Sequence, residues 1–255
     1  MMLYFIVPVY NEEKNIESLL RKTQTFLEQN KYEYTLYIVN DGSTDSTLKL
    51  IDKHKGSMNV KIIDQKVNKG VGESFKAGFE RVITEAKDTD IIITKEADNT
   101  SDLSVLNKMI EMTEKGYDLV LASCYAKGGG IRGISFYRLF FSRCANLLLK
   151  VLFPISGVNT YSSFYRVYKP ALIKRAFTVY GDNFIREKRF TCMAEILIKF
   201  DKIGARTIDV PMILNVGNRK DHSKMKVLKT MQDYLRMICE TIIDIWIIKK
   251  TKGIK

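Results

Sequence analysis

The stretch Leu3-Tyr4-Phe5-Ile6-Val7-Pro8-Val9-Tyr10-Asn11-Glu12 is a continuous apolar run that stops abruptly in a polar, turn-forming cluster. Such a run reads as a strand buried on both faces and cut off at its carboxyl end. The same design recurs twice. Tyr34 to Val39 leads into Asn40-Asp41-Gly42-Ser43-Thr44-Asp45, and Ile91 to Thr94 leads into Lys95-Glu96-Ala97-Asp98-Asn99-Thr100. Between the runs lie helical stretches, the first from about Lys14 to Gln29 with Ile16, Leu19, Leu20 and Leu27 as its buried stripe. Strands alternating with helices suggest βαβ units and a parallel sheet. Ligands of open α/β sheets bind outside the carboxyl ends of the strands. All three polar clusters are therefore expected to face one crevice.

Working outward, the 255 residues contain only four prolines and no Pro/Gly/Ser-rich linker. One catalytic domain over residues 1–225 is expected, followed by an amphipathic helix over 226–255. Cys124, Cys144, Cys192 and Cys239 are widely spaced with no Cys-x-x-Cys pair, which fits reduced thiols in a reducing compartment. The first strand starts almost at the N-terminus, so no signal peptide is expected. The net charge of +12 is concentrated in residues 124–189 and 217–250. No zinc finger, RNP-like aromatic motif or helix-turn-helix accompanies it, which argues against nucleic acid. Basic residues beside amphipathic apolar stretches point instead to an anionic membrane surface.

The three clusters are followed in order by Gly116-Tyr117-Asp118-Leu119-Val120, Ala122-Ser123-Cys124-Tyr125, Gly128-Gly129-Gly130, Arg138 and Ser142-Arg143-Cys144-Ala145-Asn146. This series resembles family 2 glycosyltransferases of the GT-A fold, and within them the branch that transfers sugars to polyprenyl phosphates. The resemblance runs from Leu3 to about Lys229. It implies a Rossmann-like, three-layer α/β fold with a mainly parallel central sheet. It also implies inverting, metal-dependent hexosyl transfer from a GDP- or UDP-sugar to a polyprenyl phosphate, at the cytoplasmic face of a membrane.

By the same resemblance, Pro8, Tyr10 and Glu12 line the base and ribose, and Asp41 hydrogen-bonds the base. Lys69, Gly70 and Ala97 complete the nucleotide pocket, although Lys69 reads equally as a solvated loop residue. Asp98 and Glu96 hold Mg2+ or Mn2+. A departing nucleoside diphosphate develops negative charge that a carboxylate-held divalent cation neutralises, and oxygen-only ligands suit these two metals. Arg138 and Ser142 share a helix face and receive the acceptor phosphate, for which a guanidinium fork is well shaped. The basic loop containing Arg219, Ser223 and Lys224 covers the diphosphate.

The chain departs from the resembled pattern at several points. Glu96 stands for an aspartate, Thr100 for a glutamine, Cys124 for an arginine, Thr160 for an acid and Phe164 for a glycine. The departures at Glu96, Cys124 and Thr160 keep open a non-catalytic nucleotide-sugar-binding protein. Transfer to a glycan or other hydroxyl acceptor, which would need a carboxylate base, is the enzymatic alternative. Glu195 reads either as a sugar contact or as the cap of a buried network. Arg206 to Pro211 reads as the last strand.

Residues 136–153 are apolar but interrupted by Arg138, Arg143, Asn146 and Lys150. They read as an interfacial helix with snorkelling cations, with a core helix as the alternative. From Lys226 to Lys250 apolar residues recur at helical steps, broken by Asp233, Glu240 and Asp244, and Trp246 precedes Lys249 and Lys250. This pattern suits a membrane-surface anchor, or a helix that pairs with a second copy or a membrane protein.

Overall fold

The computed structural model describes residues 1–221 and 227–252, and two expected site residues, Ser223 and Lys224, lie outside them. Seven strands form one sheet: β1 (Met2–Val9), β2 (Glu33–Asn40), β3 (Val60–Asp64), β4 (Ile91–Thr94), β5 (Leu119–Ser123), β7 (Arg166–Tyr168) and β8 (Thr207–Pro211). Their spatial order is β3-β2-β1-β4-β7-β5-β8, with β7 antiparallel to both its neighbours. A separate parallel pair joins β6 (Gly130–Arg132) to β9 (Ile213–Asn215). Pro211 therefore ends the main sheet, but one further short strand follows it.

The chain builds outward from β1 through β2 to β3, then returns to place β4 on the other side of β1. That reversal is a topological switch point, where the loops leaving adjacent strands diverge and open a crevice. Val9 pairs with Asn40 and Ile6 with Thr94, so all three polar clusters leave the same, carboxyl end of the parallel strands.

Alternating side chains of the central strands feed two apolar layers. Tyr4 and Ile6 join a layer with Phe75 and Phe79 of α3 (Val71–Ile83), Ile173 of α6 (Pro170–Tyr180) and Ile196 of α7 (Cys192–Lys202). Leu3, Phe5, Val7 and Val9 join the opposite layer, with Leu19 and Leu20 of α1 (Ile16–Gln29), Ile51 of α2 (Thr47–Asp52) and Met109 of α4 (Leu106–Glu114). The fold is α/β, a mostly parallel sheet between helical layers, as the resemblance implies. α5 (Phe136–Leu152) buries only Leu149, which rules out the core-helix reading of that segment. α8 (Val227–Lys252) packs against α5 and α7. Among the described residues no helix is long and apolar enough to cross a membrane.

Candidate active site

The loops after β1 and β2 are laced together by their own polar side chains. Asn11 holds a left-handed backbone (φ 50°), which its short polar side chain tolerates. Its N–H donates to Ser43 Oγ at 3.0 Å, and its Oδ1 accepts the Thr44 N–H at 2.8 Å. The Glu12 N–H donates to Thr47 Oγ1 at 2.8 Å, and Asn15 Nδ2 donates to Glu12 Oε2 at 2.7 Å. Ser43 thus serves Asn11 rather than the second helix, whose first N–H, that of Thr47, goes to Asp45 Oδ1 at 2.9 Å.

Asp41 is buried at the base of the crevice. Its Oδ1 accepts the Lys69 N–H at 2.7 Å, and Oδ2 accepts the Gly70 N–H at 3.0 Å. Burial pushes this carboxyl above its ordinary range, although the two N–H donors and the Lys69 charge pull it back. Asp41 therefore fixes the glycine loop. Gly70 sits at φ +97°, and a Cβ on Gly70 or Gly72 would overlap the carbonyl oxygens of Lys188 and Glu187. Close packing of those two backbones brings residues 187–188 to the pocket, a neighbour that no local pattern announces.

The 186–187 segment is itself held by Glu195. Its carboxylate accepts the Arg186 N–H at 3.1 Å and the Glu187 N–H at 2.9 Å, and pairs with Lys199 Nζ at 2.6 Å. Of the two readings of Glu195, the geometry selects the buried network.

The third cluster forms a tight turn at the end of β4. Asp98 is 4% exposed. Its Oδ1 accepts both the N–H and the hydroxyl of Thr100, at 3.0 and 2.7 Å, and its Oδ2 pairs with the Arg219 guanidinium. Thr100 thus shapes the turn. Glu96 Oε2 accepts the Ser101 hydroxyl at 2.8 Å, and Ala97 is buried between the two acids. Beneath the turn, Lys95 donates Nζ to the Ser101 carbonyl at 2.9 Å and stands 5.3 Å from the Tyr165 ring centroid. Burial lowers this lysine to about 8.

Arg219 arrives on the segment after β9, which is anchored on both sides. The Asn215 N–H donates to the Thr100 carbonyl at 2.9 Å, the Lys220 N–H to Asn15 Oδ1 at 3.0 Å, and Lys14 pairs with Asp221 at 3.7 Å.

Glu96 and Asp98 offer carboxylate oxygens on one turn, the donor chemistry of a hard divalent cation. Among the described residues no three His, Cys, Asp or Glu side chains cluster, so a metal here would draw its other ligands from diphosphate and water. The residues fit such an ion, since a cationic group already sits on Asp98 Oδ2.

The second half of the candidate site is built on α5. Arg138, Ser142, Asn146 and Leu149 lie on its less exposed stripe, spaced to share one face. Ser142 Oγ accepts the Tyr125 hydroxyl at 2.8 Å. Asn146 bonds the Asn159 carbonyl at 2.6 Å and the Tyr161 N–H at 2.9 Å, fixing the helix to the 159–166 segment. Thr160 bonds Ser123 Oγ at 2.6 Å, and burial pushes the Cys124 thiol up to about 11. Arg166 is wholly buried, donating to the carbonyls of Ser163, Tyr161 and Met193 at 2.7, 2.9 and 2.8 Å. It braces the segment and is not a ligand contact. Lys127, Arg132 and Arg143 are exposed.

The outer face of α5 is bare apolar surface, with Phe136 76% exposed and Tyr137, Leu147 and Val151 similarly open. α8 adds Leu235, Ile242, Ile243 and Trp246.

Comparison with known proteins places this geometry. The profile described as glycosyl transferase family 2 matches residues 4–177. The dolichol-phosphate mannosyltransferase of Pyrococcus furiosus is 28% identical over 240 residues, covering 93% of this chain and 63% of that protein. An undecaprenyl-phosphate 4-deoxy-4-formamido-L-arabinose transferase of Pseudomonas fluorescens is 27% identical over 173 residues, covering 66% of this chain and 47% of that protein. The chain thus spans roughly half to two thirds of the length of these curated relatives.

Among solved structures, the glucosyl-3-phosphoglycerate synthase from Mycobacterium tuberculosis, in complex with Mn2+, uridine diphosphate and glucosyl-3-phosphoglycerate, superposes with a TM-score of 0.64. The match has 17% identity and covers 96% of this chain and 79% of that one. S. aureus TarS in complex with UDP-GlcNAc gives a TM-score of 0.61 at 18% identity, covering 95% and 67%. The sheet, the crevice at its switch point and the family match agree, and the chain belongs to glycosyl transferase family 2.

Proposed function

We propose that this protein transfers a sugar from a nucleoside diphosphate to a polyprenyl phosphate at an anionic membrane surface, with inversion at the anomeric carbon. One observation carries the lipid-acceptor reading. A single helix, α5, places Arg138 and Ser142 on its inner stripe and bare aromatic and aliphatic side chains on its outer face. Phosphate recognition and a lipid-facing surface thereby share one element. The two relatives, whose names specify dolichol phosphate and undecaprenyl phosphate, support the same acceptor class.

Pro8, Tyr10, Glu12 and Asp41 hold the nucleotide, with Lys69, Gly70 and Ala97 closing the pocket. Asp98 and Glu96 would hold Mg2+ or Mn2+, which would supply positive charge against the departing diphosphate. Arg138 and Ser142 orient the acceptor phosphate for in-line attack. Its oxygen forms the new bond to the anomeric carbon as the bond to the nucleoside diphosphate breaks. A phosphate is already anionic near neutral pH, so no side chain need remove a proton. Arg219, with Ser223 and Lys224, covers the leaving diphosphate, and the protein supplies position and charge rather than a covalent intermediate. Residues 1–225 form the catalytic unit, and 226–255 seat it peripherally on the cytoplasmic leaflet.

The test is transfer from a panel of radiolabelled UDP- and GDP-sugars to undecaprenyl phosphate with Mn2+, read as label extracted into organic solvent. Transfer abolished by EDTA and by Asp98→Ala is expected. Donor turnover onto a hydroxyl acceptor with no lipid labelling would overturn the acceptor assignment. Nucleotide binding unchanged by metal and without turnover would overturn catalysis.

A further inference from the structure

Both oxygens of the Asp98 carboxylate are engaged. Oδ1 holds the N–H and hydroxyl of Thr100, and these two bonds define the turn. A cation cannot take Oδ1 without undoing that turn, so Oδ2 is the oxygen it must use. Oδ2 is the atom that Arg219 holds. We infer that Arg219 is an exchangeable counter-ion for Asp98. It occupies the cation position in the ligand-free protein, yields it when the metal enters with the nucleotide, and then turns to the diphosphate. This inference rests on the proposed donor site and adds a competition to it.

The segment carrying Arg219 is suited to such an exchange. It is pinned by Asn215 to Thr100 and by Lys220 to Asn15, both through backbone N–H groups on either side of Arg219. Arg219 can therefore change partners by side-chain rotation alone, with its backbone kept over the crevice. Its side chain is 26% exposed, so part of it reaches the crevice and solvent, unlike that of Lys95. Lys95 sits beneath the same turn, 2% exposed and bonded to Ser101, and is committed there. Of these two cations beside the acidic turn, Arg219 is the one free to leave.

Two consequences follow from charge alone. Metal without nucleotide must displace a guanidinium that has nowhere better to go, so it binds weakly. A nucleoside diphosphate offers that guanidinium two phosphates, so metal and nucleotide each strengthen the other's binding, as reciprocal coupling requires. Arg219 is on this account a positioning residue in the ligand-free state and a diphosphate contact in the loaded one.

The experiment is titration of the full chain with Mn2+ alone, free Mn2+ being counted by its electron paramagnetic resonance signal, then repeated with UDP and with GDP. Arg219→Gln is expected to tighten nucleotide-free Mn2+ by about tenfold and to shrink the enhancement by nucleotide correspondingly. Arg219→Lys keeps the charge and should stay close to wild type. Asp98→Asn should lose Mn2+ in every case. A gain of affinity is a result that misfolding cannot imitate. If Arg219→Gln binds Mn2+ no better than wild type while Asp98→Asn loses it, the exchange is overturned and the metal site stands. If Asp98→Asn binds as wild type does, the metal site and the exchange fall together.

Discussion

At the end of β4 the chain places Lys95 in the interior, with one hydrogen bond to the Ser101 carbonyl at 2.9 Å and the face of Tyr165 beside it. Burial lowers its pKa from 10.5 to about 8, because desolvation disfavours the ammonium more than Glu96 and Asp102 favour it. The sign of the linkage follows. Below pH ~8 both folded and unfolded chains carry the proton, and the full cost of burying the charge is present. Between pH ~8 and 10.5 the unfolded chain binds the proton and the folded one does not, so stability rises with pH. Over that window the gain is about 3 kcal/mol at most. Lys95→Met removes the charge but forfeits the bond to Ser101, worth about 1 kcal/mol. The variant should therefore be more stable than wild type by about 2 kcal/mol at pH 7, with the advantage fading toward pH 10. Urea unfolding at several pH values measures this. An advantage that is absent at pH 7, or that grows with pH, contradicts it.

Elements, unlike single residues, hold the molecule together, and α8 does so both by burying Met237 and Ile238 and through charge. Arg236 donates to the buried Glu187 at 3.1 Å, and Glu187 also takes the Thr191 hydroxyl at 2.6 Å. Arg186 reaches Asp244 at 2.8 Å, and Lys199 approaches the same acid at 3.5 Å. Because Glu187 backs onto Gly72 at the start of α3, α8 is wired to the proposed nucleotide pocket. Arg236→Met leaves a buried carboxylate with one hydroxyl partner. The expected cost is about 1–2 kcal/mol, between the values for exposed and buried pairs. Hydrogen exchange should accelerate at residues 186–191 and in α8 while β1 and β2 stay protected, and uniform acceleration would refute the wiring.

The fold class and part of the candidate site were legible in the sequence. The loops after β1, β2 and β4 were, because apolar runs and turn residues are local signals and the switch-point rule brings them together. β7 and β9 were not, being three-residue strands whose existence depends on partners far along the chain. That Ser43 would serve Asn11 was not legible either, because a hydroxyl before a helix gives no sign that a distant residue will claim it. The Asp98–Arg219 pair joins residues on separate elements, and no spacing encodes it.

At the scale of the whole molecule, the net charge of +12 and the bare faces of α5 and α8 lie in the same half of the chain. α8 turns Asp233, Met237, Ile238 and Thr241 inward and leaves Leu235, Ile242, Ile243 and Trp246 outside, with Trp246 63% exposed. An apolar face that stays exposed among the described residues, in a lysine- and arginine-rich half of the chain, has the composition of a surface that lies in a headgroup layer. Two terms should then add. The electrostatic term is screened within a Debye length, about 8 Å at physiological salt, whereas apolar insertion is not. Sedimentation with phosphatidylglycerol-containing vesicles should weaken as salt rises but persist in high salt. Trp246→Glu removes a side chain worth about 2 kcal/mol of burial and adds a repelled charge, so it should weaken binding by roughly thirtyfold or more. Arg143→Gln, on the exposed side of α5, should weaken binding at low salt and have little effect at high salt. If vesicles fail to bind while Trp246→Glu converts a dimer to a monomer in analytical ultracentrifugation, the bare face belongs to a second copy of the chain. The acceptor would then have to reach Arg138 without the helix that carries it lying in the membrane.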